Sequence, residues 1–439
     1  MSNLQLTHDQ QQAKDGILQL ITNPLPDNPI DRIIVVQGYA GTGKSTLLSQ
    51  VLLDYYKLVS TYDLLGANYE PVQITVSAMT HKATEVLRTL LKSTGLHHRV
   101  PICTTHKAIG AAPKSSKAGS TNYHYYDGLI TTTHPHLVVI DECSYMDSVL
   151  LERLMTLIYQ YPICVLFMGD EHQLPPVNEN TCPVFTAGFK TYHLNEVVRQ
   201  KDAKHLDNCT TLLRQSVADN LLKPITPDGV QVIHLDKNQW DKQIIKSINA
   251  GIDTKVLHYT NHQVHRANNK IHNKVTGSAD FKAGDLVCVN GDYDLYDSYY
   301  KVNYAQKDRV MLVTYAQKLE LTSGNTTIPV YQLHISSITD TFQDVVTVLV
   351  NPKDKEHLTH KNLPFYGKDT QGNSISFMDI RHMYACTVHK SQGSTFDEVF
   401  ININDFRNVY KTNIALTLRL LYVAFSRAKY RVYLTGDLS

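Results

Sequence analysis

The sequence predicts an α/β fold built on parallel, doubly wound sheets, and three observations carry that reading. An apolar run, Ile33-Ile34-Val35-Val36, enters the glycine-rich stretch Gly38-Tyr39-Ala40-Gly41-Thr42-Gly43-Lys44-Ser45-Thr46, and Leu47, Leu48, Val51 and Leu52 follow at helical spacing. Two more apolar runs, at 137–140 and 163–168, end in Asp141-Glu142 and Gly169-Asp170, with a helical pattern over 149–159 between them. After Pro183 the rhythm resumes, with helices near 200–216, 239–249 and 262–273 around a strand at 256–259. Short, uniformly apolar strands alternating with helices suit a parallel sheet buried on both faces, which binds ligands at its strand C-termini.

The remaining elements follow in order. Residues 4–21 read as a helix with Thr7 as its N-cap, and the three prolines of 23–31 make a loop. The helix after the glycine-rich stretch runs to about residue 58, a second strand spans 72–77, and Thr80 caps a helix through Glu85, Leu87 and Leu90. Between 107 and 136 small and polar residues dominate, around Tyr123-His124-Tyr125-Tyr126 and Asp127-Gly128. Asp-Gly between β-prone residues predicts a hairpin, here a protruding insertion. Runs beginning at Asp285, Arg309, Val330 and Val345 predict a small β-barrel inserted in the second αβ region, and the polar stretch 351–377 is expected to be mobile. Strands at 382–387 and 399–403, a helix over 413–428 and a strand at 430–434 complete the chain.

Bulk properties limit the function. The 439 residues exceed one simple core, and 42% hydrophobic with 19% charged residues is ordinary for a globular protein. A net charge of +1 excludes a polycation, so any nucleic-acid site must be a local groove. Seven cysteines without a C-x-x-C pair argue against a disulfide framework or a zinc site, and the 21 histidines show no ligand pattern. No apolar run reaches bilayer length and residues 1–7 lack a signal pattern, so a soluble, cytoplasmic protein without membrane partners is expected.

Residues 38–46 have the order of a phosphate-binding loop. Gly38, Gly41 and Gly43 free the backbone so that N–H groups can turn toward a polyphosphate at a helix N-terminus. Lys44 would reach the β- and γ-phosphates and Ser45 would ligate Mg²⁺. Asp141 at a strand end would hold the same Mg²⁺, and Glu142 would act as general base on water, which implies hydrolysis. In Gly169-Asp170-Glu171-His172-Gln173-Leu174-Pro175-Pro176-Val177, Gln173 could sense the γ-phosphate or belong to a polar turn.

These three stretches together resemble superfamily-one helicases. The C-terminal half agrees: Thr387-Val388-His389-Lys390-Ser391-Gln392-Gly393-Ser394 looks like motif V, and Leu421-Tyr422-Val423-Ala424-Phe425-Ser426-Arg427-Ala428 like motif VI. Leu194-Asn195-Glu196-Val197-Val198-Arg199-Gln200 is similar to the motif that supplies a first arginine, and Leu6-Thr7-His8-Asp9-Gln10 to the adenine-reading Q motif. The particular forms look most like the RecD-like B branch, which moves 5′ to 3′ on single-stranded DNA.

The resemblance implies two RecA-like P-loop domains with a β-hairpin insertion and an SH3-like barrel. Their expected limits are 1–106 with 137–185, 107–136 for the hairpin, 186–279 with 378–439, and 280–377 for the barrel. It implies an ATP- and Mg²⁺-dependent DNA helicase; a viral-type RNA helicase and a nucleic-acid-stimulated ATPase that remodels protein complexes are the alternatives. Catalytic roles then fall to Lys44, Glu142, Gln173, Arg199 and Arg427, the last two as arginine fingers. ATP would contact Gln10, Gly38, Ala40, Gly41, Thr42, Gly43, Lys44, Ser45, Thr46 and Gly393. The DNA track would use Thr80, His81, Thr105, His106, Thr260, Asn261, His389 and Lys390, whose small donors suit phosphates. Tyr123, Tyr125 and Tyr126 would form the strand-separating wedge. Expected partners are single-stranded DNA, a DNA fork and replication or single-strand-binding proteins, with the chain a monomer, in the host cytoplasm if phage-encoded.

Overall fold

A computed structural model describes residues 6–67, 69–113, 123–197, 203–290, 293–297, 300–305, 309–323, 326–338, 342–350, 366–368 and 374–438. The chain forms two compact units, one of residues 1–236 with 388–439, the other of residues 237–387.

In the first unit, α1 (His8–Thr22) begins at Thr7, whose hydroxyl accepts from Gln10 N–H while the Gln10 side chain returns to Thr7 N–H, a capping box. β1 (Ile33–Gly38) leads into α2 (Lys44–Leu64), longer than its sequence pattern. β2 (Gln73–Ala78), α3 (His81–Ser93), β3 (Ile102–Thr104) and α4 (Thr105–Ile109) follow. Then come the pair β4 (Ala111–Pro113) and β5 (Tyr123–Tyr125), β6 (His136–Asp141), α5 (Ser148–Gln160), β7 (Ile163–Gly169) and β8 (Lys190–Leu194). The main sheet runs β3-β2-β6-β7-β1-β8, parallel throughout.

Period-two alternation builds a core on each face of this sheet. Ile34, Val36, Leu137, Val139, Leu166 and Met168 enter one apolar cluster with α1 and α2. Ile33, Val35, Val138, Ile140, Val165 and Phe167 enter the other with α5. Burial on both faces explains why these strands read as unbroken apolar runs. The order β6-β7-β1 places the chain after Asp141, Gly169 and Gly38 at one edge of the sheet, where the site forms.

Residues 186–194 correct the expected domain limit. β8 pairs in parallel with β1, from Ile34↔Lys190 to Gly38↔Leu194, so it belongs to the first sheet. As an edge strand it leaves Lys190, Thr191 and His193 exposed, and so lacks the apolar signature of its neighbours. Pro113↔Tyr123 to Ala111↔Tyr125 confirm an antiparallel pair in the insertion, but Asp127-Gly128 lies after β5 and is not its turn. Gly128 is needed for a close backbone approach: a Cβ there would meet Ala108 O at 2.3 Å. The unit continues with α6 (Lys204–Asp219) and β9 (Val232–His234).

The second unit contains α7 (Lys237–Asn249), β10 (Thr254–His258), α8 (Asn261–Thr276) and β11 (Leu286–Val289). The hairpin β12 (Tyr293–Asp297) and β13 (Tyr300–Ala305) precedes the long strands β14 (Val310–Ser323) and β15 (Thr326–Ser337), then β16 (Gln343–Leu349). β17 (Tyr366–Lys368) pairs with β18 (Ser374–Ser376), and β19 (Ile380–His382) and β20 (Ala385–Thr387) close the unit, β20 parallel to β10. β16-β15-β14-β11-β19 form an antiparallel sheet whose alternate residues, including Met311, Val313, Leu333, Ile335, Val346 and Val348, make its core. The segment after β18 touches both edges of this sheet: Phe377 bridges Thr347, and β19 pairs with β11. Most of 351–377 lies outside the described residues, with its expected mobility.

The chain then returns to the first unit with α9 (Val388–Ser391), β21 (Phe396–Asn402), α10 (Arg407–Thr412), α11 (Ile414–Ser426) and β22 (Ala428–Thr435). β22 runs parallel between β21 and β9. Elements expected in one second domain are thus divided between the two compact units. Among the described residues no helix is long and apolar enough to cross a membrane.

Candidate nucleotide site

The first unit holds a pocket of about 630 Å³ lined by Lys44, Ser45, Asp141, Glu142, Gln173 and Arg427, with Ala40, Gly41, Gly43, Thr46, Gly393 and Ser394 also in its walls. Gly41 and Gly43 have φ of 89° and 79°, left-handed values that disfavour any side chain. Gly43 is also tight against Gln10, whose Nε2 would lie 2.6 Å from an added Cβ. Gln10 is buried, with Nε2 donating to Thr42 O at 2.9 Å and Oε1 accepting from Thr7 N–H. It therefore braces the loop, using polar atoms expected to read adenine. Gly38 and Thr42 meet below the pocket, where Thr42 Oγ1 donates to Tyr39 O. Lys44 Nζ donates to Gly38 O at 2.6 Å and Tyr39 O at 3.1 Å, close to the loop it serves.

Asp141 and Glu142 stand side by side at the end of β6. Burial, then the charge of Glu142, pushes the Asp141 carboxyl up to about 7 against the opposing pull of Lys44. Glu142 takes a left-handed conformation, φ 51°, and its buried Oε2 has no hydrogen-bond partner among the described residues. Two crowded carboxylates beside the Ser45 hydroxyl form an oxygen donor set that fits a hard divalent cation, which would relieve their repulsion. Asp141 and Ser45 would hold Mg²⁺ there.

Sequence reasoning placed Gly393 and Arg427 in this pocket, and both line it from the C-terminal segment. Arg427 is buried; Nη2 and Nε donate to Ser426 Oγ and Nη1 to Ser394 O, and it pairs with no carboxylate among the described residues. Arg199 lies outside the described residues.

Several contributors were missed. Arg419 Nη1 donates to Gln173 O at 2.7 Å, Tyr422 Oη reaches Asp170 Oδ2, and Gln392 Nε2 donates to Gln173 Oε1 at 3.0 Å. Arg214 lies 3.6 Å over the Tyr39 ring, which also meets His172 edge-on. A signal existed for two of them: Arg419 and Tyr422 stand three apart in a mostly apolar helix, hence on one face.

The expected DNA residues have mixed fates. Thr80 caps α3 by accepting from Ala83 N–H, and Thr260 caps α8 in a capping box with Gln263. Thr105 is fully buried, its hydroxyl 3.2 Å from Ser77 Oγ, so it is a core residue and not a surface contact. His106 is half-buried against the Tyr123 ring, and burial lowers its pKa. His81 is half-buried at the first turn of α3. His389 is exposed and Lys390 half-buried on α9, while Asn261 in the second unit accepts from Arg381. Of the tyrosines, Tyr125 and Tyr126 are exposed. Tyr123 is not: its hydroxyl donates to Asp147 Oδ2 at 3.0 Å, making it an anchor at the hairpin base. The end of the hairpin, 114–122, lies outside the described residues.

In the second unit His272, Asp285 and His382 cluster, with ligand atoms within 4.8 Å. The two imidazoles stack at 3.7 Å and 13°, so their in-plane lone pairs run parallel and do not converge on one ion.

Residues 27–226 match the AAA domain family, and residues 382–435 match the UvrD-like helicase C-terminal domain. Together these matches cover more than half of the chain and contain the pocket residues on both of its sides. ATP-dependent DNA helicase dda of Enterobacteria phage T4, whose length and layout the motifs suggest, is 23% identical over 441 aligned positions, 91% of this chain and 93% of that protein. The chain belongs to the B branch of the superfamily-one helicases. Two further relatives of this B-branch helicase chain are similar in sequence. The uncharacterized protein R530 of Acanthamoeba polyphaga mimivirus is 23% identical, covering 91% of this chain and 94% of that one. The RecBCD enzyme subunit RecD of Buchnera aphidicola is 26% identical over 35% of this chain and 24% of its own. Among solved structures, Pif1 helicase from Candida albicans aligns over 99% of this chain and 95% of its own at 16% identity, TM-score 0.49. Bacteroides Pif1 bound to single-stranded DNA aligns over 100% and 93% at 16% identity, TM-score 0.45.

Proposed function

We propose that this chain couples ATP hydrolysis to 5′-to-3′ movement along single-stranded DNA and to separation of the duplex ahead of it. One observation carries the reading: Arg427, from the C-terminal segment, lines the same pocket as Lys44, Asp141, Glu142 and Gln173. A phosphate loop alone binds a nucleotide; with a water-activating carboxylate and a buried arginine, it can hydrolyse one.

Lys44 and the loop N–H groups hold the β- and γ-phosphates, and Gln173 contacts the γ-phosphate. Glu142 accepts the proton of the attacking water through its buried Oε2, which has no hydrogen-bond partner among the described residues. Ser45 and Asp141 would hold Mg²⁺, which when bound would supply positive charge against the phosphates. Arg427 stabilises the charge that develops on the transferred group, with Arg199 as its second; such arginines contribute about 10³–10⁵ in rate. Thr46 and Gly393 complete the nucleotide contacts.

Thr80, His81, His106, Thr260, Asn261, His389 and Lys390 serve the DNA backbone, and Tyr125 and Tyr126 are the remaining wedge candidates. The arrangement is that of two RecA-like domains, with the first extended to residue 194. The antiparallel sheet of the second unit is assigned as an SH3-like barrel, supported by the double contact of residues 377–382. The substrate is a DNA fork, met as a monomer, with replication or single-strand-binding proteins as partners.

The test is strand displacement on 5′- and 3′-tailed DNA and RNA duplexes. Unwinding of the 5′-tailed DNA is expected, and none with Lys44→Ala or Glu142→Gln. Unwinding of 3′-tailed substrates alone overturns the direction, and preference for RNA overturns the substrate.

A further inference from the structure

We propose that Gln392 is a positioning residue for ATP hydrolysis: it fixes the Gln173 carboxamide so that its NH₂ end, not its oxygen, faces the phosphates. The inference deepens the hydrolytic reading of the pocket and rests on it.

The backbone of Gln173 is already clamped, its N–H donating to Asp170 O and its carbonyl accepting from Arg419. What the backbone leaves open is the last side-chain torsion, which is broad and nearly two-fold, so oxygen and nitrogen can exchange places at little cost. A γ-phosphate oxygen only accepts, and a carboxamide presenting its own oxygen would repel it. Gln392 removes the ambiguity by donating Nε2 to Gln173 Oε1 at 3.0 Å, with both side chains buried. The opposite arrangement, both amides flipped, would leave the Gln392 NH₂ group as a buried unpaired donor. In the observed one the buried atom left unpaired among the described residues is the Gln392 Oε1 acceptor, and an under-satisfied carbonyl is the more tolerable of the two.

Gln392 is itself held in place. Its N–H donates to His389 O at the end of α9, and Ser394 N–H donates to Ser391 O. Between them Gly393, at φ +73°, lies 3.6 Å (as an added Cβ) from the Ala83 side chain. The C-terminal segment thereby sets the polarity of a group that reads the nucleotide on the other wall.

Two substitutions of Gln392 in the full chain, each made alone and in a Gln173→Ala background, test this in single-stranded-DNA-stimulated ATP hydrolysis. Gln392→Glu has only acceptors and turns the Gln173 NH₂ away from the phosphates; turnover is expected to fall about tenfold or more with KM for ATP changed less than about threefold. Gln392→Met has neither donor nor acceptor and leaves the amide free to choose, so its loss is expected to be intermediate. In a Gln173→Ala background neither substitution has anything to position, and each is expected to change turnover by less than about twofold. Gln392→Met at the unsubstituted rate, or an undiminished loss in the Gln173→Ala background, overturns the proposal. Should Gln392→Glu fail to fold, the Met variant and its cycle with Gln173→Ala decide it. An unsubstituted chain that does not hydrolyse ATP overturns the parent reading instead.

Discussion

Tyr422 donates its phenolic hydrogen to Asp170 Oδ2 across 2.6 Å, although 252 residues separate the two in sequence. Both side chains are buried, and the same hydroxyl accepts from Ala40 N–H at 3.4 Å. One atom on α11 therefore joins the chain after β7 to the phosphate loop after β1. Burial works against the Asp170 charge, yet the hydrogen bond from His172, the charge of Lys44 and the Tyr422 hydroxyl hold its carboxyl below the ordinary value.

Tyr422→Phe keeps the packing of α11 and removes this hydroxyl. A buried hydrogen bond to a charged group is worth about 1.5–3 kcal/mol, so a loss of that order is expected in urea unfolding at neutral pH. An unchanged unfolding midpoint would mean that the carboxylate finds its stabilisation elsewhere.

The second prediction concerns the hairpin base. Asp147 serves two masters: Oδ1 caps α5 through Leu150 N–H, and Oδ2 accepts from Tyr123. It lies a few residues beyond Asp141 and Glu142, so the hairpin is fastened to the segment that carries the paired pocket carboxylates. Tyr123→Phe keeps the ring against His106 and loses only the bond. DNA-stimulated ATP hydrolysis is expected to stay within about twofold while base pairs opened per ATP fall severalfold. Parallel losses in both rates would instead place Tyr123 in the support of the nucleotide site.

Which parts of this were legible in the sequence follows from locality. β1, β6 and β7 announced themselves because burial on both faces demands unbroken apolar runs, and the α1 capping box writes Thr7 and Gln10 three apart. β8 did not, since the edge of a sheet asks for little apolar surface, and its Lys190-Thr191-Tyr192-His193 reads as a loop. The pocket residues that carry motif spacing were found; Tyr422, Arg419 and Gln392 were not assigned roles because their partners lie more than 200 residues away. Asp127-Gly128 misled for a related reason: the dipeptide signals a turn locally, whereas this glycine answers to a backbone crossing.

That crossing gives the third prediction. A Cβ on Gly128 would stand 2.3 Å from Ala108 O and 2.5 Å from Gly110 N, both backbone atoms that cannot step aside as a side-chain tip can. Gly128→Ala should therefore separate the strands at the hairpin base and cost about 1–3 kcal/mol, as overpacking does. Amide exchange reads it directly: the Tyr126 N–H that donates to Gly110 O should lose protection while Val139 and Leu166 in the main sheet keep theirs. Equal exchange at Tyr126 in both proteins would show the crossing to be compliant.

The fourth prediction is a pH dependence of stability. His136 opens β6 with its side chain buried, Nε2 2.9 Å from Thr75 Oγ1 and Nδ1 without a partner among the described residues. Burial pushes its pKa down from 6.5 to about 4. The folded state thus resists a proton that the unfolded chain accepts, so the unfolded state binds more protons between pH 6.5 and 4. Stability is fully present above pH 6.5 and is lost as pH falls through this window, by up to about 3 kcal/mol from this residue. His136→Gln can still meet Thr75 and does not titrate. Urea midpoints measured from pH 7.5 to 4.5 should fall more steeply for the unsubstituted chain than for the variant; parallel curves would show that the imidazole takes up its proton equally in the folded and unfolded states.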